Sequence, residues 1–317
     1  MNPYVFIVGC PRSGTTLLHR LADAHPQLAI VHETLWIPGF YERRVGLTPE
    51  GDVTPALLPR LVEHRRFKHL EIGPGELDGM LAGSGRMPYP RFVSALLDRY
   101  GAARAKPLVG DKSPGYVRNM PVLHELFPKA RFVHLIRDGR DVCLSAVNWR
   151  KADRVFGRFA TWPQEPITTA ALWWERSVRL GREAGRALGD RLYTEVRYED
   201  IVADPEGQCR RLCEFLELEF DPAMLRFHEG RTCELPGLST KRRWLPPTAG
   251  LRDWRTQMDA HDVGTFEAAA GDLLEELGYG RGAPDPDPML IARSKHVRHR
   301  FGAHVRSRRR PLPERWG

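Results

Sequence analysis

The chain has 317 residues, 42% hydrophobic and 28% charged, which is ordinary for a globular protein and ample for a sizeable core. No run approaches the roughly 18 apolar residues of a membrane span, and five scattered cysteines neither build a disulfide framework nor complete a zinc site. The net charge of +8 lies in residues 291–317, which hold nine Lys or Arg against Glu314 alone, so the first 290 residues are formally neutral and give no case for nucleic-acid binding.

The first apolar run, residues 4–8, reads as a core strand. No basic region precedes it, so it is not a signal peptide, and the expectation is a cytoplasmic protein. It leads directly into Gly9-Cys10-Pro11-Arg12-Ser13-Gly14-Thr15-Thr16 and then a helical pattern. Strand, glycine-bounded loop and helix start are the parts that cradle a phosphate on backbone N–H groups. The spacing fits G-x-x-x-x-G-K-[ST] except that Thr15 stands in the lysine position, while Arg12 lies inside the loop. The loop therefore reads as built for a different anion at the end of a nucleotide. Two plainer readings stand beside it: a turn capped by Thr15 and Thr16, and a kinase or NTPase loop without its lysine.

Further strands are expected at 28–31, 107–109, 131–136 and 192–196, and helices at 15–24, 92–100, 120–127, 142–149, 168–188 and 206–216. This alternation predicts an α/β chain, a three-layer P-loop nucleotide-kinase-like fold with a central parallel sheet. Several strands end in polar clusters: the 9–16 loop, His32-Glu33, Gly110-Asp111-Lys112-Ser113 and Arg137-Asp138. Ligands bind at the carboxyl ends of such strands, so the clusters are expected to converge on one crevice. Residues 1–280 read as one domain carrying a long insertion at 39–106. A second irregular stretch, 229–250, contains Ser239, Lys241 and Arg242. Residues 281–317 read as a linker and basic tail, either a solvated segment or one touching an anionic membrane surface.

Three more segments join the loop: Ile136-Arg137-Asp138-Gly139-Arg140 running on to Ser145, Val196-Arg197-Tyr198-Glu199-Asp200, and Leu251-Arg252-Asp253-Trp254-Arg255. In this order they resemble the sulfotransferases that use 3′-phosphoadenosine 5′-phosphosulfate (PAPS), over about residues 4–278. The spacing of Arg12 to Leu18, Ala24-His25-Pro26 and His32-Glu33-Thr34 is most similar to that of tyrosylprotein sulfotransferases and their bacterial relatives. That resemblance implies transfer of a sulfuryl group from PAPS to an acceptor hydroxyl on a small molecule, lipid or carbohydrate, with 39–106 on the acceptor side and no metal. It implies Glu33 as catalytic base, Arg12 and Lys112 at the transferring group, and a cofactor site of Arg12, Ser13, Gly14, Thr15, Thr16, Arg137, Ser145 and Tyr198. The chain departs from the pattern where Trp149 and Arg150 follow the serine segment, and in the late loop, which leaves Ser239, Lys241 and Arg242 unassigned. No counterpart of the membrane anchor of those enzymes is expected here.

The chemistry asks for these residue types independently. In-line sulfuryl transfer needs cations or N–H donors at the moving oxygens, a base for the acceptor, and a separate cationic pocket to tell a 3′-phosphate from ATP. Alternatives remain for single residues. His32 is the rival base, since some sulfotransferases use histidine; neighbours on a strand point to opposite faces, so only one of His32 and Glu33 is expected to reach the crevice. Arg137 could instead pair with Asp138 or Asp141, Tyr198 could be packing, and Trp173-Trp174 reads as core. Two other functions fit parts of the chain: a P-loop nucleotide or small-molecule kinase, and a basic adaptor for nucleic acid or anionic lipid.

Overall fold

The computed structural model describes residues 2–81, 86–229, 245–283, 285 and 287–307. Strands β1 (Val5–Gly9), β2 (Leu28–His32), β3 (Leu108–Lys112), β4 (Arg131–Ile136) and β5 (Tyr193–Arg197) form a five-stranded sheet in the order β2-β3-β1-β4-β5. Every neighbouring pair is parallel, with Val5 opposite Gly110 and Arg131, and His32 opposite Lys112. All five carboxyl ends therefore lie along one edge.

Helix α1 (Thr15–Asp23) follows β1. Between β2 and β3 stand α2 (Ile37–Glu42), α3 (Leu57–Glu63), α4 (Pro74–Leu81) and α5 (Tyr89–Ala102). Helix α6 (Met120–Leu126) precedes β4, and α7 (Gly139–Val147), α8 (Ala152–Phe156) and α9 (Pro166–Leu188) lead to β5. The chain continues through α10 (Tyr198–Ala203), α11 (Pro205–Leu216), α12 (Trp254–Gln257), α13 (Ala260–Glu276) and α14 (Pro288–Ser307).

Strands β1, β2 and β4 read as near-continuous apolar runs because both faces of the sheet are covered there, whereas the edge strand β5 is only partly buried, with Glu195 exposed. Tyr4, Phe6, Val8, Ala29, Val31 and Phe132 join one core with Phe92 and Leu96 of α5 and Leu123 of α6. Their alternates Val5, Ile7, Leu28, Ile30, Val133 and Leu135 join a second core with Leu18 and Leu21 of α1 and Leu212 of α11.

The chain divides into two compact units. The first, Met1–Ile136 with Leu180–Ala249, holds the whole sheet. The second is Arg137–Arg179 with Gly250–Gly317, in which α7, α13 and α14 pack together. These surroundings correct the nucleotide-kinase-like fold expected around the parallel sheet: helices α2 to α5 separate β2 from β3, and a separately clustered unit follows β4.

Two local readings also change. Strand β3 continues through Gly110, Asp111 and Lys112, so residues read as a polar strand end are ladder positions with both charged side chains fully buried. Residues 288–307, read as linker and tail, are helical; Ser294, Val297 and Phe301 recur at helical spacing and are buried, a stripe masked by the basic residues between them.

Candidate functional site

The Gly9–Thr16 loop owes its path to two glycines. At Gly9 (φ 155°) a Cβ would lie 2.5 Å from the Leu135 carbonyl oxygen. At Gly14 (φ 96°) it would lie 2.4 Å from Cδ2 of Tyr198, whose ring covers the loop from the start of α10. Between them Arg12 adopts φ 79°, a left-handed conformation costing a side-chain-bearing residue about 1–2 kcal/mol. Gly14 is the N-cap of α1 and makes no side-chain cap bond, so the capping role considered for Thr15 and Thr16 is not seen. The first-turn N–H groups have no acceptor within the helix and present a partial positive charge. Ser13 beside them is fully buried, and its Oγ has no hydrogen-bond partner. An uncapped helix start, a buried unpaired hydroxyl and a strained arginine together fit an anionic group on the loop.

Past β2, the backbone turns left-handed at Glu33 (φ 59°) and again at Leu35 (φ 62°). The Glu33 carboxylate accepts from Lys112 Nζ at 2.9 Å through Oε1 and pairs with Arg66 at 2.8 Å through Oε2. Burial works to raise the Glu33 pKa, but Lys112 foremost and Arg66 as well overcome it and bring the pKa down to about 2. Lys112 is itself pulled below the ordinary lysine range by burial, with Glu33 opposing. Glu33 is thus an ionised carboxylate with one buried cation behind it and a second reaching in from the 39–106 insertion.

His32 remains close to the same charge. Burial first and then Lys112 depress its pKa to about 3. Its ring lies between those of His19 and His69, at centroid distances of 5.5 and 5.3 Å. Opposite-face alternation between His32 and Glu33 holds only for an unbroken pleat, and the left-handed turn at Glu33 breaks the pleat.

That turn is built by the Lys112 backbone and by Thr34, Asp111 and Tyr116, to which the sequence assigned no role. Glu33 N–H donates to the Lys112 carbonyl at 3.0 Å, and Thr34 N–H donates to Asp111 Oδ2 at 2.9 Å. Thr34 Oγ1 and the Tyr116 hydroxyl share a 2.7 Å bond, and Ile37 N–H donates to the same hydroxyl at 3.0 Å. Asp111 is fully buried, which pushes its pKa up to about 6 against the hydrogen bonds it accepts. Aspartate in a strand next to the buried lysine was the available signal for this scaffold. Arg66 offered none, standing 33 residues from its partner.

Arg137 and Ser145 belong to the second unit. Arg137, 6% exposed, donates to Asp141 Oδ2 at 3.1 Å and to the Arg252 carbonyl at 3.4 Å, so the pairing considered with Asp141 is present. Asp141 and the buried Ser145 lie one turn apart on the same side of α7. Asp138 caps α7 and holds the guanidinium of Arg140, which also donates to Glu267 at 2.6 Å. Trp254 N–H donates to Asp141, and its indole N–H donates to Asp138. Trp173 and Trp174 are buried, Trp174 donating to the Arg137 carbonyl. Ser239, Lys241 and Arg242 lie outside the described residues, as does Cys233. Cys10, Cys143, Cys209 and Cys213 are buried thiols. Among the described residues no helix is long and apolar enough to cross a membrane.

Residues 3–222 match the sequence profile of the sulfotransferase family. The protein-tyrosine sulfotransferase A of Caenorhabditis elegans is 26% identical over 311 residues, spanning 95% of this chain and 75% of its own length. The omega-hydroxy-beta-dihydromenaquinone-9 sulfotransferase Stf3 of Mycobacterium bovis is 29% identical over 331 residues, spanning 90% and 77%. Among solved structures, the sulfotransferase domain of the Synechococcus PCC 7002 olefin synthase superposes with a TM-score of 0.58 at 24% identity, covering 88% of this chain and 95% of that one. The sulfotransferase domain from the curacin biosynthetic pathway gives 0.57 at 20% identity, covering 88% and 99%. The fold is the mixed α/β one of those domains, which overturns the nucleotide-kinase-like assignment.

Proposed function

The chain belongs to the sulfotransferase family and is a PAPS-dependent enzyme, and from that premise we propose that it sulfates a hydroxyl on a small molecule, lipid or carbohydrate with Glu33 as the base. The observation that carries this reading is the Glu33 carboxylate, held ionised between Lys112 and Arg66 at the carboxyl ends of β2 and β3. PAPS, when bound, supplies the activated sulfuryl group and a phosphate leaving group.

The chain's own residues divide the remaining work. Arg12, Ser13, Gly14, Thr15 and Thr16 offer N–H groups, a hydroxyl and a guanidinium to the anionic end of the donor. Tyr198 covers Gly14 and is assigned to the nucleotide. Arg137 and Ser145 are assigned to the 3′-phosphate, whose recognition distinguishes this donor from ATP. Glu33 accepts the acceptor's proton, and Lys112 balances the charge that accumulates beside it. A carboxylate with a pKa near 2 is a weak base, so its strength depends on how tightly Lys112 and Arg66 hold it. Any anion that draws Lys112 away raises the proton affinity of Glu33.

The 39–106 insertion is assigned to the acceptor side because Arg66 brings it into contact with Glu33. The relatives' names give a protein tyrosine in one case and a hydroxylated menaquinone in another, so the acceptor class varies within the family. Incubating the protein with sulfur-labelled PAPS and extracts of its native cell, then identifying the labelled product by mass spectrometry, tests the reading. One discrete sulfated metabolite lost in Glu33→Gln is the expected result. Labelled protein tyrosine as the sole product would overturn the small-molecule assignment.

A further inference from the structure

Helix α14 carries a basic surface that the sulfation chemistry does not use. It packs within its own unit through Ser294, Val297 and Phe301, with Ser294 Oγ donating to the Ala268 carbonyl at 2.9 Å. Two of its arginines are spent on this docking: Arg293 pairs with Glu165 at 2.5 Å and Arg298 with Glu175 at 2.6 Å. The opposite side is different. Lys295, His296, His299, Arg300 and Arg306 are exposed, and at about 100° per residue all five fall within roughly 140° of the helix circumference, so they form one face. No acidic residue occurs between 288 and 307 to neutralise it. At about 1.5 Å per residue the helix is roughly 30 Å long, and these cations occupy about 16 Å of that length on one face.

The same side begins with an apolar group. Met289 is 79% exposed, the largest exposure among the exposed large hydrophobic side chains of the described residues. A basic stripe headed by a bare apolar side chain is the pattern of a helix lying in a membrane interface, where cations meet anionic headgroups and the apolar residue enters the acyl boundary. A nucleic-acid groove would use the cations and leave Met289 in water. We propose that the exposed stripe of α14 docks the protein on an anionic phospholipid surface.

The test uses the full chain and vesicles of pure phosphatidylcholine or of phosphatidylcholine mixed with phosphatidylglycerol, read by co-sedimentation. Binding is expected on the anionic vesicles alone and should be lost at high salt, where exposed charges are screened. Each cation near such a surface is worth roughly fivefold in partitioning, so the triple variant K295E/R300E/R306E should bind at least about tenfold more weakly. Circular dichroism of the variant checks that the helix survives. Removing residues 308–317 should weaken binding only in part. No binding to anionic vesicles, equal binding to neutral ones, or full loss on removing 308–317 alone would overturn the proposal. So would tighter binding to duplex DNA that disappears in the same triple variant.

Discussion

Two buried ion networks in this molecule contrast in how completely they are closed. In the second unit, Arg140 and Glu267 are fully buried and Asp138 nearly so, and the charges are met on all sides. Glu267 also accepts the Gly282 and Ala283 N–H groups, and the Arg140 guanidinium lies 3.6 Å from the Trp254 ring centroid. Asp138 sits at the cap of an unstrained helix. In the first unit, Lys112 is 1% exposed, but Glu33, which it pairs with, and Arg66 on the other side of Glu33 are 21% and 25% exposed, and Glu33 occupies a left-handed turn. A closed network on relaxed backbone fixes structure. An ion pair left ajar on strained backbone is what a site that must exchange partners requires.

The largest effect expected from this contrast is on stability. Arg140→Met leaves Asp138 and Glu267 buried without their cation, which should cost about 3–5 kcal/mol in denaturant unfolding. A loss below about 1 kcal/mol would show that the cluster relaxes and would erase the distinction.

Glu33→Gln should do the reverse, sparing the fold and removing the base. Turnover should fall by roughly 10²-fold or more, with cofactor affinity nearly unchanged by calorimetry. Arg12→Ala should lose affinity and turnover together. If Glu33→Gln keeps near-normal turnover while His32→Ala is dead, the base is His32 and the open network serves another purpose.

Nucleotide selectivity sharpens the comparison further. With Arg137 and Ser145 on a 3′-phosphate, 3′,5′-bisphosphorylated adenosine should bind much better than AMP or ADP. A desolvated charge-assisted contact is worth about 1.5–3 kcal/mol. Arg137→Ala should remove most of that preference. Equal affinity for ATP would reassign Arg137 to the purely structural partnership it already makes with Asp141.

How much of this was readable beforehand depends on how local the cause is. The strand cores were legible because the short apolar runs of β1 to β4 are buried on both faces and Val196 anchors the half-exposed β5, and the register brings the strands' polar ends to one edge. The loop was legible from Gly9 and Gly14, since only glycine tolerates their conformations or contacts. The left-handed turns at Arg12 and Glu33 were not, because no glycine marks them. Asp111 and Lys112 were misplaced because charge at a strand end normally signals a loop. The kinase-like fold was read from strand–helix alternation together with a phosphate-type loop, and neither specifies what packs around the sheet. Arg66 was invisible because a contact between residue 66 and residue 33 leaves no periodic trace.

The smallest predicted effect concerns Asp111, which holds the open network's turn without touching its charges through a hydrogen bond. Burial raises its pKa from 3.8 to about 6, so the folded protein binds this proton more tightly than the unfolded chain. The contribution to stability is therefore complete below about pH 4, declines as pH rises towards 6, and is gone above it. Asp111→Asn imitates the protonated form and keeps an oxygen to accept from Thr34 N–H. It should match the parent near pH 4 and exceed it by the order of 1–2 kcal/mol near pH 8, with kcat/KM within a few-fold. Any inflection near pH 6 in the parent's kcat/KM profile should vanish in this variant, whereas Glu33, with a pKa of about 2, contributes none there. Asp111→Ala removes the acceptor and should lower kcat more than Asn does, at unchanged cofactor affinity, because the turn carrying Glu33 loosens. An inflection near pH 6 that survives Asp111→Asn but disappears in Glu33→Gln would mean that Lys112 and Arg66 hold the carboxylate far less tightly than their distances imply.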